Sequence, residues 1–368
     1  MSPSPYLDRL LRHPRFGQSA VVRELRQRPL GMVDVGARGD VDVALTQLAG
    51  VTKVLGFEPD HKEAARLLAG GTGPWAAFDI EMVALGEQAG PATLHLAVEP
   101  NNHSLRPPNK AFIERYGMEK FFPVGSEPLD TVTLDHVLFE RRGGEAGWAE
   151  FLKVDTQGTE LEIMKGGLRT LDERTLVVVC EVEFAPIYTG QALFSDVERF
   201  MRDRGFDFFG FSELHARSRK RLDKKVYGGR ERMLWSDGIF IKDPIAQSAK
   251  AGVNDRCGLC LIGMAMMMGF YDYALEMAEW TAAGMPDGAA LVADVLATVQ
   301  DLARVDTAIA RQDVQALAKA VEAAPEMANV LIGQFVDRRR RLHDFDDVRY
   351  ESRWLGRRQT LLWEPEHL

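Results

Sequence analysis

The chain has 368 residues, enough for two domains or for one domain with a large addition. At 46% hydrophobic and 27% charged it reads as soluble and globular, and a net charge of −9 argues against a nucleic-acid-binding surface spread over the whole protein. Three cysteines make no disulfide framework, the first residues lack an apolar signal core, and no apolar run has membrane-spanning length, so a cytoplasmic protein is expected.

Residues 1–29 form a basic, proline-punctuated extension with a helix expected around Ser19 to Gln27. From residue 30 to 243, strand-like and helix-like segments alternate. Strands are predicted at Gly31–Val35, Lys53–Glu58, Glu81–Leu85, Thr93–Val98, Phe151–Val154, Leu176–Glu183, Phe206–Phe211 and Trp235–Ile241. Helices are predicted at Asp42–Leu48, His61–Ala69, Thr159–Gly166 and Phe194–Arg204. That alternation predicts an α/β domain with a largely parallel sheet covered on both faces. The pattern stops at Lys242-Asp-Pro244, which puts a domain boundary near 243–254 and a helical C-terminal region over 255–368.

Two places in the α/β part carry chemistry. At the front, Met32-Val-Asp34-Val-Gly36-Ala37-Arg38-Gly39 is a strand running into a glycine turn, where a residue without Cβ lets backbone approach a ligand. Glu58 ends the next apolar strand, at the distance from Gly36 where a carboxylate accepts hydrogen bonds from ribose hydroxyls. The second place is Phe151-Leu-Lys-Val-Asp155-Thr-Gln-Gly158-Thr-Glu-Leu-Glu-Ile-Met-Lys-Gly-Gly167, a strand that ends in a carboxylate and turns through glycine into a helix. A plain tight turn at Gly36 and a helix cap at Asp155 are the alternative readings. A nicotinamide cofactor competes for the front site. Its Gly-x-Gly-x-x-Gly fingerprint lacks its middle glycine here, and Asp34 and Asp40 would repel a pyrophosphate while favouring a cationic group.

The 151–167 run resembles the signature of the FkbM-type family of S-adenosylmethionine-dependent O-methyltransferases. The resemblance covers about residues 31–242. Asp34-Val-Gly-Ala37 is similar to the family's opening glycine motif, Phe57-Glu58-Pro59 to its ribose-binding acid, and Val83-Ala84-Leu85-Gly86 to the segment flanking the adenine. Asn102-His103-Ser-Leu105, Val132-Thr-Leu-Asp135 and Trp235-Ser-Asp-Gly-Ile-Phe240 resemble the substrate-side loop, a later segment and the closing strand. One departure stands out: Arg38 and Gly39 occupy places where the family has an asparagine and then its last glycine one residue later. The resemblance implies a class I methyltransferase fold, a Rossmann-like, mostly parallel seven-stranded sheet with one antiparallel strand near its end. It also implies S-adenosylmethionine as cofactor, held by Asp34, Gly36, Ala37, Gly39, Glu58, Ala84, Leu85 and Asp155. The acceptor it implies is a hydroxyl of a surface glycan, of its precursor or of a secondary metabolite.

Methyl transfer to an alcohol is aided by a base that takes the hydroxyl proton. Asp155 is the first candidate, able to orient the acceptor, act as base or bind the methionine amino group. His103, in the polar loop Pro100–Leu105, has the right pKa range. Glu181 or Glu183, at the end of the Leu176–Glu183 strand, is placed to face the acceptor; His136 reads as a helix start. No His/Cys/Asp cluster has metal spacing, and Cys257-Gly-Leu-Cys260 reads as two buried helix cysteines rather than a zinc or redox pair.

In the C-terminal region Gly269-Phe-Tyr271-Asp-Tyr-Ala274 resembles the middle of a tetratricopeptide repeat but covers less than one repeat, so a helical hairpin or small bundle is expected. Met264, Met266, Met267 and Met268 pack its core or a homo-oligomer contact; a flexible substrate groove is the alternative. Arg338–Arg341 reads as a solvated face, or as a patch for an anionic glycan or phosphate. Two further function classes are compatible with the sequence: a NAD-dependent oxidoreductase on a similar sheet, and a non-catalytic scaffold in which the altered Gly36–Gly39 turn binds nothing.

Overall fold

The computed structural model describes residues 7–39, 43–145, 147–219, 221, 231–247 and 255–340. Asp40, Arg341 and much of the 243–254 junction lie outside them. Among the described residues the strands are β1 (Leu30–Val35), β2 (Thr52–Phe57), β3 (Ala77–Glu81), β4 (Ala84–Leu85), β5 (Gly90–Ala97), β6 (Pro123–Val132), β7 (Phe151–Val154), β8 (Val177–Glu183), β9 (Asp207–Arg217) and β10 (Arg232–Ile241). Seven form one sheet in the order β3-β2-β1-β7-β8-β10-β9. The first five are parallel, and β10 runs antiparallel to both its neighbours. The sheet is therefore mixed. All six residues of β1 are buried and β7 is nearly so, which is the continuous apolar run that a strand covered on both faces needs.

The helices are α1 (Arg9–Arg12), α2 (Ala20–Gln27), α3 (His61–Ala69), α4 (Lys110–Tyr116), α5 (Glu160–Lys165), α6 (Leu168–Glu173), α7 (Phe194–Asp203), α8 (Asp255–Met268), α9 (Tyr271–Ala282), α10 (Gly288–Ala323) and α11 (Ala328–Arg340). Several starts are capped as the sequence suggests. The Ser19 hydroxyl accepts from the Val22 N–H ahead of α2, and the Asp60 carboxylate accepts from the N–H groups of Lys62 and Glu63 ahead of α3. The core under the sheet gathers Val33, Val35, Leu55, Phe57, Leu152, Val154, Val178 and Val182 with Ile163 and Met164 of α5.

The structure corrects the predicted elements in four places. Glu81–Leu85 is not one strand: β3 ends at Glu81, and β4 joins a separate three-stranded sheet ordered β4-β6-β5. Thr93–Val98 belongs to that small sheet as part of β5. β6 was not predicted, because Pro123, Gly125 and Pro128 all argue against a strand. It exists because β5 covers one edge for its whole length, while β4 pairs only with Thr131 and Val132, leaving Pro128 no ladder bond to break on that side. Of the helix predicted over 42–48, residue 42 lies outside the described residues and the rest belongs to a 3-10 turn over Val43–Val51, kinked at Leu48.

Two compact units divide the chain, 1–295 and 296–368. Helices α8 and α9 therefore share a unit with the α/β sheet. Arg256 of α8 donates to both carboxylate oxygens of Glu150, at 2.8 Å each, and to Glu24 at 2.9 Å. The Gln47 amide donates to the Met267 carbonyl at 2.8 Å. Met264, Met266 and Met267 are buried in this unit, as is Cys260, while Cys257 is half-buried. In the second unit, Leu296 of α10, Met327 of the turn after it, and Val330 and Ile332 of α11 are exposed.

Candidate active site

Parallel register brings three chain reversals to one edge. Val35, Phe57 and Val154 end neighbouring strands, so Gly36, Glu58 and Asp155 follow side by side. Val154 pairs with Cys180, which sets Asp155 beside Glu181 on the next strand. A cavity of about 270 Å³ opens there. Gly36, Glu58, Ala84, Leu85, His103, Asp155 and Glu181 all line it, and so does Arg38. Asp34, Ala37 and Gly39 do not.

Gly36 has φ +82°, and a Cβ there would stand 2.0 Å from the Asp155 carbonyl oxygen. The turn is thus pressed against the end of β7, and only glycine fits. The N–H groups of Gly36 and Ala37 both donate to the Phe57 carbonyl at 3.1 Å. Asp34 is buried and takes a hydrogen bond from the Lys153 ammonium at 3.2 Å, directly across the β1–β7 pair. Asp155 lies 3.9 Å from the same ammonium. Burial opposes the charge on Lys153, but Asp34, Asp155 and Asp237 outweigh it and hold the lysine above its usual range.

Glu58 is buried, and its pKa is raised by burial against the opposing pull of the Asp60 N–H and the Arg38 guanidinium. Arg38 donates to Asp60 at 2.7 Å and stands 3.6 Å from Glu58. The residue that departs from the expected motif therefore braces the ribose-type acid rather than facing water.

The 155–160 turn is held from inside. Glu160, nearly fully buried, accepts from the N–H groups of Thr156 at 2.8 Å and Gly158 at 3.0 Å. Asp155 is consequently not the cap of α5. Burial pushes the Glu160 carboxyl up to about 7, with Asp155 adding to it. Gln157 sits at φ +62°, and the Ser104 hydroxyl donates to its carbonyl at 2.7 Å. Its amide then donates to Asp155 at 3.0 Å and to Glu181 at 2.8 Å, while Tyr188 donates its hydroxyl to the amide oxygen at 2.9 Å. Burial, then Asp155 and Glu183, push the Glu181 carboxyl well above its ordinary value; Glu183 is raised too, by burial and then Glu160.

His103 accepts the Ala97 N–H on Nδ1 at 3.1 Å, which assigns its proton to Nε2. Burial and then Arg38 lower its pKa, so the ring is neutral and presents a donor to the cavity. His136 begins a wide turn over His136–Arg141, away from the cavity lining. Among the described residues no group of three His, Cys, Asp or Glu could hold a metal ion.

Sequence reasoning did not single out Gln157, Glu160 or Tyr188. Gln157 and Glu160 lie in the 151–167 run, where a buried glutamate two residues past a glycine was the available signal. Tyr188 carries no local signal and reaches the site only through tertiary packing beside Gly158.

This arrangement can be set beside known families. The model of the methyltransferase FkbM domain matches residues 34–208, the span from the buried Asp34 to β9. That stretch is similar to an FkbM methyltransferase domain. Among solved structures the chain is similar to methyltransferase FkbM from Methylobacillus flagellatus KT, with 16% identity and a TM-score of 0.32, over 58% of this chain and 43% of that one. It is also similar to magnesium protoporphyrin IX methyltransferase (ChlM) from Synechocystis PCC 6803 with bound SAM, with 8% identity and a TM-score of 0.29, over 61% of this chain and 74% of that one. The chain thus spans less than half the length of the first of these. No curated protein matches it.

Proposed function

We propose that this methyltransferase transfers a methyl group from S-adenosylmethionine to a hydroxyl of a sugar or a secondary metabolite. The observation that carries the reading is one cavity, at the carboxyl edge of an FkbM domain, lined together by Gly36, Glu58, Asp155 and Glu181. Its chemistry suits a cationic cofactor bearing a nucleoside. Carboxyl groups of Asp155, Glu181 and Glu183 line it, and Gly36 lets backbone come close. Glu58 is the acceptor for ribose hydroxyls, and Ala84 and Leu85 give an apolar slot for the base. Buried Asp34, bound to Lys153, supports that wall from behind.

When bound, S-adenosylmethionine supplies an electrophilic methyl group on a sulfonium. The chain's residues align the acceptor and exclude water from it. Asp155 is the group assigned to take the hydroxyl proton, since it lines the cavity with its side chain 37% exposed while Glu181 is buried. The His103 Nε2–H is then a donor that orients the acceptor oxygen.

Calorimetric titration with S-adenosylhomocysteine, with NADH as control, tests the cofactor. Micromolar binding of the first alone is expected. NADH binding without it would replace the reading with a dehydrogenase, and binding of neither would favour a scaffold.

A further inference from the structure

The β9–β10 hairpin continues past the carboxyl edge of the sheet. β8 ends at Glu183, opposite Trp235, and β10 begins three residues earlier at Arg232. Arg232 pairs directly with Arg217 of β9, so two like charges share one face, an arrangement that costs stability. More cations converge on the same spot. Arg232 donates to the Tyr116 hydroxyl at 3.3 Å and lies 5.5 Å from the Phe112 ring centre. Arg115 lies 5.4 Å from the Tyr116 ring centre. The hydrogen bond from Arg232, with the fields of Arg232, Arg115 and Arg219, lowers the Tyr116 pKa.

None of these four arginines forms an ion pair with a described residue. The neighbouring acids are occupied elsewhere: Glu231 accepts from the Ser218 hydroxyl at 2.8 Å, and Glu114 lies 3.8 Å from Lys110. The sequence shares the bias, with eight Lys and Arg against two acids over residues 217–232 in a chain of net charge −9. The rim is joined to the cavity by packing. Tyr116 and Phe112 belong to the cluster that holds Phe121, Tyr188 and Trp235, and these three line the cavity.

We propose that this rim is a subsite for a phosphate-bearing methyl acceptor, a sugar phosphate or diphosphate. Arg115, Arg217, Arg219, Arg232 and the Tyr116 hydroxyl hold its anion while its sugar hydroxyl enters the cavity. The inference rests on the methyltransferase reading above. Guanidinium groups match phosphate oxygens with paired donors, and the aromatic rings beneath Arg232 and Arg115 orient those donors in advance. A compact anion suits the patch better than a long polyanion, which would run onto an otherwise acidic protein.

The test uses the full chain, with inorganic pyrophosphate and UDP-glucose as soluble probes and a polyprenyl-diphosphate sugar in detergent micelles as the lipid-linked one. Pyrophosphate binding should weaken about tenfold in Arg232→Ala and further in Arg232→Ala/Arg219→Ala, with Arg232→Lys retaining part of it. Wild-type binding should weaken with salt, and S-adenosylhomocysteine affinity should stay within about twofold in every variant. Tighter binding of UDP-glucose than of the polyprenyl probe assigns a soluble acceptor, and the reverse assigns a lipid-linked one. Equal pyrophosphate affinity in wild type and double variant overturns the proposal. So does single-stranded RNA that displaces pyrophosphate from the wild type at lower concentration than UDP-glucose does. Loss of S-adenosylhomocysteine binding in the wild type would strike the methyltransferase reading, while the pyrophosphate series still reads the rim by itself.

Discussion

Replacing Gln157 with alanine removes the amide that ties Asp155, Glu181 and Tyr188 together. Three side-chain hydrogen bonds disappear, at 3.0, 2.8 and 2.9 Å. They do not count equally. Asp155 is 37% exposed, so water can replace the lost donor and little stability goes with it. Glu181 and Tyr188 are buried, and a buried group left without its partner costs about 1–3 kcal/mol. Tyr188 has a second acceptor, the Asn102 carbonyl at 3.3 Å, which softens its loss. The Ser104 bond to the residue 157 carbonyl survives the substitution, so the turn keeps its left-handed backbone. The sum is about 2 kcal/mol of lost stability, with Glu181 the largest share. Urea unfolding measures it, and Tyr188→Phe with the double variant measures the coupling, expected to be about 1 kcal/mol. Turnover should drop more than cofactor affinity, because the two carboxyls lose their fixed separation while Gly36 and Glu58 are untouched. A Gln157→Ala protein with unchanged urea midpoint and unchanged pH–rate profile would show that the bridge organises nothing.

Further outcomes follow from the same geometry. Gly36→Ala puts a Cβ 2.0 Å from the Asp155 carbonyl at φ +82°, so a loss of roughly 3 kcal/mol is expected, together with loss of S-adenosylhomocysteine binding by calorimetry. Glu160 keeps its proton up to about 7 in the fold but releases it near 4.5 when unfolded. The folded state therefore binds the extra proton between those values, and stability should fall by on the order of 3 kcal/mol as pH rises through that window. Glu160→Gln should flatten this part of a urea-midpoint profile. Arg256→Ala leaves Glu150 and Glu24 without their shared cation and should cost about 3 kcal/mol by urea unfolding, since it breaks a partly buried network tying α8 to the sheet. Glu58→Ala should abolish S-adenosylhomocysteine binding while leaving the urea midpoint within about 1 kcal/mol, because the buried carboxyl is raised by desolvation and its removal relieves that cost.

The sheet was legible where local signals agree. β1, β2, β7 and β8 are mostly apolar runs, each with an internal charged residue, ended by Gly36, Glu58, Asp155 and Glu183, and each lies within a residue or two of its predicted bounds. The small sheet was not legible as a unit, because its pairing is non-local. β6 is rich in proline and polar residues and gains its strand form only from β5. The site divides in the same way. Residues at strand ends could be read from position alone, so Gly36, Glu58, Asp155 and Glu181 fall on one cavity. The groups that hold them could not. Tyr188 arrives from a loop after β8, Ser104 from a loop after β5, and Arg38 turns back along its own turn to Asp60. A hydrogen bond between residues 53 positions apart, such as Ser104 to Gln157, leaves no trace in periodicity.

Charge explains why the site and its rim differ so sharply. The cavity gathers carboxyls, and Lys153, which is not part of its lining, is already committed to Asp34. Such a wall favours a cation and repels phosphate, which sets it against a pyrophosphate cofactor independently of the missing glycine. The β9–β10 rim has the opposite sign and stands beyond the sheet edge rather than over Gly36. If the rim served the cofactor, its arginines would lie near the Gly36 turn. The arginine that does lie there, Arg38, has its charge matched by Asp60 and Glu58. In the proposed reading the acid wall takes the cationic cofactor and the basic rim the anionic acceptor. That separation also predicts their salt response: rim binding should weaken as salt rises, and binding in the enclosed cavity should change less.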